Sequence, residues 1–522
     1  MSGRRHKPRE ISIKRSYGPA IAAFFTSLLP SIAFAASEAA IPVLSLDDRI
    51  DAFMRPIADT VSNIILVSIP IGDGQAPLIV LWLIFGAVFF TFYFRFINFT
   101  GMKHGIALVA GRHKGKGREG EISAFRALTS AVSGTVGVGN IAGVAITVSL
   151  GGPGAIFWIA VAGFLGMATK FTECILGVKY RHISEDGVVS GGPMYYLQRG
   201  LAERNLPRLG RGLAIFYAGS IVVGCLGIGN MFQSNQAYVQ FMEVTGGEAG
   251  FWGDKGWLFG SIMAALAALT IIGGIKSISA VTSKLVPFMI IAYCLGALTV
   301  IIIKIDMLPA ALAMIWNGAF SPEGIAGGMF GAMFLGFQRA AFSNEAGLGS
   351  AAIAHSAVRT ANPATEGFVG LLEPFIDTVV VTMLSALVLT MTIYTPEMSQ
   401  GGMAGIELTS AAFESVLPWS PAPLSVAAIL FAFSTLIAWA YYGLKGWTYL
   451  FGEGRGRENT FKVIFCIFTV IGCSVQLSAI LDLFDALIYL MALPNILGLY
   501  ILAPVVKAEL ASYQAELKTR MT

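Results

Sequence analysis

Charge is scarce in this chain: 13% of its 522 residues are Asp, Glu, Lys or Arg and 55% are hydrophobic, against roughly 25% charged in a soluble domain. A mean hydropathy of +0.71 points the same way, and together they exclude a water-soluble globule. Histidine is rare as well. His6, His104, His113, His182 and His355 read as leader or loop residues, and no H-E-x-x-H, G-x-S-x-G or paired-aspartate motif lies in an apolar run; this argues against an intramembrane enzyme. The five cysteines, Cys174, Cys225, Cys294, Cys466 and Cys473, sit inside apolar stretches without metal-ligand spacing and read as buried packing residues. The net charge of +4 is mild and its basic residues are scattered, which removes nucleic acid as a partner.

What is present is length and apolar repetition. Arg4, Arg5, Lys7, Arg9, Lys14 and Arg15 precede an apolar stretch from Ala20 to Ala33 and the triplet Ala33-Phe34-Ala35, the order of a cleaved signal peptide over 1–35. The segment 36–75 would then face the periplasm. Crossing about 30 Å of hydrocarbon takes roughly 20 residues, and eleven stretches qualify: 76–95, 124–149, 153–179, 212–240, 256–274, 281–303, 325–349, 366–393, 423–444, 460–480 and 484–506.

The distribution of Lys and Arg orients them, because basic residues collect in short cytoplasmic loops. Lys103, Arg112, Lys114, Lys116 and Arg118 follow the first span, and none lies between Leu150 and Gly152. Arg181, Arg199, Arg204, Arg208 and Arg211 mark the next inside loop, whereas Tyr394 to Ala422 has no basic residue. An odd number of spans places the tail 507–522 in the cytoplasm, as expected for a multi-pass protein of a bacterial inner membrane. Ile406 to Val416 has a helical rhythm but only eleven residues and reads as a surface or lid helix.

Two spans are poor continuous helices. Ser133-Gly134-Thr135-Val136-Gly137-Val138-Gly139-Asn140 places three glycines and several polar side chains at mid-bilayer, and Gly324, Gly327, Gly328, Gly331 and Gly336 precede Phe342-Ser343-Asn344-Glu345-Ala346-Gly347-Leu348-Gly349. Unwound backbone survives in a membrane only where it lines a polar cavity. The competing reading is close helix packing through small residues such as Gly139 and Gly143. With the span 76–95 set aside as an extra helix, ten remain, and the broken pair open two sets of five, 124–303 and 325–506, that start from opposite sides. That inverted repeat points to a carrier with a midplane site rather than to a channel assembled from repeated pores.

These residues resemble the alanine or glycine:cation symporter family, also called sodium:alanine symporters. SGTVGVGNIAGVA at 133–145, GGPGAIFW at 151–158, GGPMYYL at 191–197 and FSNEAGLGSA at 342–351 carry the match, with GIGNMFQSNQ at 227–236 and FAFSTLIAWAYYG at 431–443. The resemblance implies an all-α polytopic fold like that of bacterial sodium-coupled leucine carriers plus one extra N-terminal helix. Where the family more often has small residues, this chain has Phe232, Ser234 and Gln236. The resemblance also implies that backbone N–H groups near Val138, Gly139 and Asn140 hold a substrate carboxylate. The carbonyls of Ser133 and Val136 with the hydroxyls of Ser434 and Thr435 would cage sodium, unless those hydroxyls only back-bond to their own helices.

Gln233 is the side chain best placed to meet a zwitterionic amino acid, or else a bridge between helices; Phe337 and Phe342 are candidates for the pocket wall, or else packing residues. Charges within spans need partners. Lys170 with Glu173 at i,i+3 reads as a structural ion pair, while Asp377, near mid-span, and Glu345 are candidates for an ion path. Asp377 could instead pair with Arg339, and either acid could carry a proton in place of sodium.

Overall fold

The computed structural model describes residues 46–72, 74–111, 119–320, 328–396, 398, 403, 405–474, 482–483 and 486–521, so the leader assigned to 1–35 lies outside the described residues. The segment ahead of the first expected span forms a helix, α1 (Leu46–Ile65), and a hairpin of β1 (Ser68–Ile71) with β2 (Gly74–Pro77) in which Ser68 pairs with Pro77. There follow α2 (Leu78–Tyr93), the broken pair α3 (Ala124–Thr135) and α4 (Ala142–Gly151), and α5 (Gly154–Lys179). A short hairpin, β3 (His182–Ile183) with β4 (Val189–Ser190), leads into α6 (Pro193–Glu203). Then come α7 (Pro207–Val244), α8 (Gly256–Ile271), α9 (Gly274–Ile303) and α10 (Leu308–Phe320). The second half holds α11 (Gly328–Asn344), the stub α12 (Ala351–His355), α13 (Pro363–Thr392), α14 (Ile406–Glu414), α15 (Pro421–Phe451), α16 (Arg455–Ser474) and α17 (Ala492–Met521).

Among the described residues, six helices are long and apolar enough to cross a membrane, and α3 with its continuation, bent by 60°, makes a seventh. Of the four other expected crossings, α2, α8 and α11 are shorter, with 16, 16 and 17 residues, about 24 to 26 Å of helix at 1.5 Å per residue, and α16 has 20 residues but opens on the polar run 455–460. The last helix does not stop at the expected tail but runs to Met521.

Burial sorts the helices by position. On α9, Phe288, Ile291, Leu295, Leu298 and Ile302 are exposed at spacings of three and four, while Ser279, Thr282, Val286, Met289 and Tyr293 are buried. One stripe faces the surroundings and the other faces protein. By contrast α5 is buried without interruption from Gly166 to Val178, and α15 from Ser434 to Gly443. These two helices are enclosed all round and form the frame on which both breaks rest. Cys174, Cys225 and Cys473 are buried as expected, but Cys294 and Cys466 are only half-buried; all five are free thiols.

Candidate functional site

The first break is a set of backbone groups handed from one helix to side chains of others. The α3 ladder ends with Val136 N–H on the Val132 carbonyl. Gly137, with φ of −126° and ψ of −163°, then swings the chain out, and Val138–Asn140 makes a single 3-10 turn before α4 starts. The Gly137 N–H is taken by Asn140 Oδ1 at 3.0 Å and the Val138 N–H by Gln233 Oε1 at 2.9 Å. On the acceptor side, Thr435 Oγ1 donates to the Ser133 carbonyl at 3.0 Å and Trp439 Nε1 to the Gly134 carbonyl at 3.1 Å. Buried amides need such substitutes, since an orphaned group costs about 1 to 3 kcal/mol.

The second break obeys the same accounting. It falls in the later part of the expected stretch: Gly331 and Gly336 lie inside continuous α11, where Gly336 abuts Trp158 and Ala155, and the chain unwinds only after Asn344. Glu345 adopts a left-handed conformation with φ of 57°, and Gly347 and Gly349, at φ of 93° and 82°, continue a path that side chains rarely tolerate. The Ala346 N–H finds Asn344 Oδ1, and the Gly347 N–H finds Glu173 Oε1 3.0 Å away on α5. Asn495 of α17 donates to both the Gly347 carbonyl and Glu173 Oε1, at 2.8 and 2.7 Å.

The two breaks touch. Asn140 Nδ2 lies 3.1 Å from Ser343 Oγ, 2.6 Å from Asp377 Oδ1 and 3.0 Å from Thr382 Oγ1, joining the turn between α3 and α4 to α11 and α13 at one buried point. Asp377 Oδ2 accepts from Ser343 Oγ at 2.7 Å and Thr378 Oγ1 at 2.8 Å. The carboxylate therefore has neutral donors in place of the alternative ion pair with Arg339, whose guanidinium lies 5.9 Å from the Phe342 ring centroid. Asp377 sits in a π-helical turn, Phe375–Thr382, which turns the Asp377 carbonyl toward Asn140 and Thr382. A matching π-helical turn, Gly227–Phe232, precedes Gln233 and brings Phe232 edge-on to Phe342 with ring centroids 5.8 Å apart.

Most of the residues singled out in the sequence converge here. Ser133, Ser434 and Thr435 meet: Ser133 Oγ donates to the Ser434 carbonyl at 2.5 Å. The Ser434 hydroxyl itself turns back to the Phe431 carbonyl at 2.9 Å, the bland alternative for that one group. Val136, Val138, Gly139 and Gln233 surround the same unwound turn, and Phe342 stands 3.3 Å from the position a Cβ would take on Gly139. Phe337 stands apart, with its ring facing Trp158 at 6.5 Å. Glu345 is engaged within the second break, where it accepts the Ser350 hydroxyl.

Three readings need correction. Lys170 pairs with Glu373 across to α13 at 3.0 Å, not with Glu173, which serves the second break. His355 is no loop residue; it ends α12, fully buried, with Nδ1 2.6 Å from Glu366 Oε1. The helix α14 is not a surface element, since Ile406, Leu408 and Ala412 are buried and Thr409 Oγ1 donates to the Ile141 carbonyl at 3.0 Å. Trp439, Thr382 and Asn495 were not foreseen, and polar or indole groups inside apolar spans are the signal that would have found them.

Both ends of the junction are covered. Around α14, the Ile406 N–H meets Gln236 Oε1 at 3.2 Å and Gln240 Nε2 meets Ser410 Oγ at 3.0 Å. At the opposite end, Arg181 donates to the carbonyls of Ser356, Val358, Glu119 and Thr360, and Ile122 bridges Val358. Lys445 joins this closure through the Val189 carbonyl at 2.8 Å. Such spans of paired groups can be exchanged for others when a ligand enters. Because Gln233 Oε1 is the acceptor for the Val138 N–H, Gln233→Leu is expected to destabilise the folded protein by about 1 to 3 kcal/mol. Thermal unfolding of the two proteins in detergent checks this.

Comparison with known proteins agrees with the geometry. The profile described as "Sodium:alanine symporter family" matches residues 61–522. The chain is 35% identical to "Sodium/alanine symporter AgcS" of Methanococcus maripaludis, over 84% of this chain and 94% of that one. It is 31% identical to "Putative sodium/proton-dependent alanine carrier protein YrbD" of Bacillus subtilis, over 81% of this chain and 87% of that one. The fold is shared with the crystal structure of MhsT in complex with L-phenylalanine, at a TM-score of 0.54 and 16% identity, covering 74% of this chain and 89% of that chain. A bent helix pair, enclosed polar groups and a profile match along nearly the whole length place this multi-pass membrane protein among amino-acid transporters rather than enzymes, and it belongs to the sodium:alanine symporter family.

Proposed function

We propose that the chain couples the entry of sodium to the uptake of a small neutral amino acid, alanine or glycine, across a bacterial inner membrane. The observation that carries this reading is the junction of the two breaks at Asn140, Ser343 and Asp377, with unwound peptide groups held by exchangeable side chains on one side and the Asp377 carboxylate on the other. A zwitterion needs donors for its carboxylate and acceptors for its ammonium in a dry pocket. The Val138–Asn140 turn supplies the donors once a substrate carboxylate takes over from Gln233 Oε1, and the released Gln233 amide can turn to the substrate. Phe342 stands over Gly139 with Phe232 edge-on to it, and in this reading the two rings would restrict the substrate to a short side chain.

Sodium prefers five or six hard oxygens. The carbonyls of Ser133 and Val136, with Thr435 Oγ1 and a rotated Ser434 hydroxyl, offer four of them beside the first break, and Asp377 gives the cation a second stop, this one charged, on its path. Sodium there would fix the unwound turn that the amino acid binds, and by linkage the amino acid would raise sodium affinity by the same factor. In this reading the two halves, 124–303 and 325–506, are inverted repeats within eleven spans. The Arg181 end faces the cytoplasm and the α14 end the periplasm. Alternating access then means breaking one set of closures while the other holds.

In proteoliposomes with an inward sodium gradient, labelled alanine should accumulate and be displaced by glycine or serine but not by large side chains. Replacing sodium with potassium should abolish accumulation. A second reading, proton coupling through Asp377, is favoured by the complete burial of that acid among partners that carry no charge. Accumulation driven by a pH gradient in sodium-free buffer would establish it and overturn the first.

A further inference from the structure

The charges that the transport site does not use lie together, between α5, α12 and α13. His355 Nδ1 is 2.6 Å from Glu366 Oε1, and its Nε2 is 3.7 Å from Glu373 Oε2. Glu373 Oε1 is 3.0 Å from Lys170 Nζ. Glu173 and Glu345 adjoin through the second break. Lys170, Glu173, His355 and Glu373 are wholly buried, and Glu345 and Glu366 nearly so, at 2% and 1% exposure.

The balance of charge does not close. Four carboxylates, Glu173, Glu345, Glu366 and Glu373, face at most three cations: Lys170, a protonated His355 and Arg181, whose charge acts on Glu366 from the turn after α5. Uncompensated charge at such depth costs far more than any hydrogen bond returns, so a buried cluster of this kind neutralises itself by keeping protons. Three of its atoms, His355 Nε2, Glu373 Oε2 and Glu173 Oε2, also have no hydrogen-bond partner. An imidazole with both nitrogens turned toward carboxylates is the natural holder of one such proton.

We propose that Glu366, His355 and Glu373 form a proton-binding site, separate from the substrate junction, whose proton locks α12 onto α5 and α13 and so holds the Arg181 end closed. His355 is the last residue of α12, and the turn that follows it, 356–360, is the segment whose carbonyls Arg181 grips. Among the described residues, the charged and titratable groups facing the ring are Glu366 and Glu373 on α13 and Lys170 and Cys174 on α5, with Arg181, just past α5, acting on Glu366. Opening this end must draw α12 away from those acids and admit water. The closed arrangement therefore binds the proton more tightly than the open one, and the proton favours closure in return. The inference rests on the transporter reading only for the existence of an opening; neither alanine nor sodium enters it, so the test uses neither.

The full chain in lipid nanodiscs, without substrate, is followed by amide hydrogen exchange between pH 6 and 9, with exchange times scaled to the intrinsic amide rate. Peptides covering 351–360 should open more as pH rises, by up to about tenfold per pH unit, the limit for one linked proton. Peptides from the enclosed part of α15 should stay flat. His355→Gln, which keeps hydrogen-bonding capacity without the charge, should remove the slope, and Glu366→Gln should shift or remove it. A wild-type profile that is flat for 351–360 overturns the proposal even where a variant does not fold. A slope that His355→Gln leaves unchanged overturns it equally.

Discussion

Alanine at position 137 is expected to reduce uptake by about a hundredfold while leaving the protein folded. The backbone there is extended, with φ of −126°, a conformation that any residue adopts, so the effect arises from space alone. An added Cβ would stand 2.6 Å from Thr435 Oγ1 and 2.7 Å from Gln233 Oε1. Both are ends of side chains and can move. Moving, however, gives up the Thr435 bond to the Ser133 carbonyl and the Gln233 bond to the Val138 N–H. Two buried groups left unpaired, at about 1 to 3 kcal/mol each, make about 3 kcal/mol a conservative total, which is about a factor of a hundred.

The control is Gly143→Ala. Nothing lies within 4 Å of a Cβ built at Gly143, which is inside α4, and alanine is the better helix former by about 1 kcal/mol. That variant should transport as the parent does or be slightly more stable. If the glycines served only to let helices approach, Gly143→Ala would be the damaging change and Gly137→Ala the mild one. Initial uptake rates of the two variants, normalised to reconstituted protein, separate these outcomes.

Gly137 also shows why part of the site was legible in the sequence. Glycines and small polar residues at mid-span violate what a lipid-exposed helix requires, and the violation marks the first break to within a turn. The same logic reached the second break with less resolution: Gly336 is small because Trp158 and Ala155 press against α11, and Glu345, Gly347 and Gly349 mark the unwound path itself. What could not be read were the partners supplied from far away in the chain. Gln233 is 95 residues from the Val138 amide that it serves, and Asn495 is 148 from the Gly347 carbonyl. Local spacing has no access to such pairs. The apolar rhythm of 406–416 likewise describes a half-buried helix without saying what covers its other face; Thr409 and Ser410 turn out to face protein.

Lys170 is the sharpest case, and it carries the second large expectation. Glu173 lies three residues away on the same helix, which makes it the obvious partner by spacing, yet α5 is enclosed all round at this level and the ammonium reaches Glu373 on α13. Removing one member of a buried pair leaves the other charge uncompensated, at a cost of about 3 to 5 kcal/mol. Lys170→Met and Glu373→Gln should therefore each destabilise the protein strongly, as read by thermal unfolding in detergent. The double variant should recover most of the loss, because neither charge remains to be solvated. Glu173→Gln should be mild by comparison, since the amide oxygen can still accept from the Gly347 N–H. Equal damage from Glu173→Gln and Glu373→Gln, or a double variant as unstable as the sum of its parts, would return the pairing to the single helix. A large coupling energy confined to Lys170 and Glu373 would instead fix α5 to α13, the contact on which both the second break and the proton-binding cluster depend.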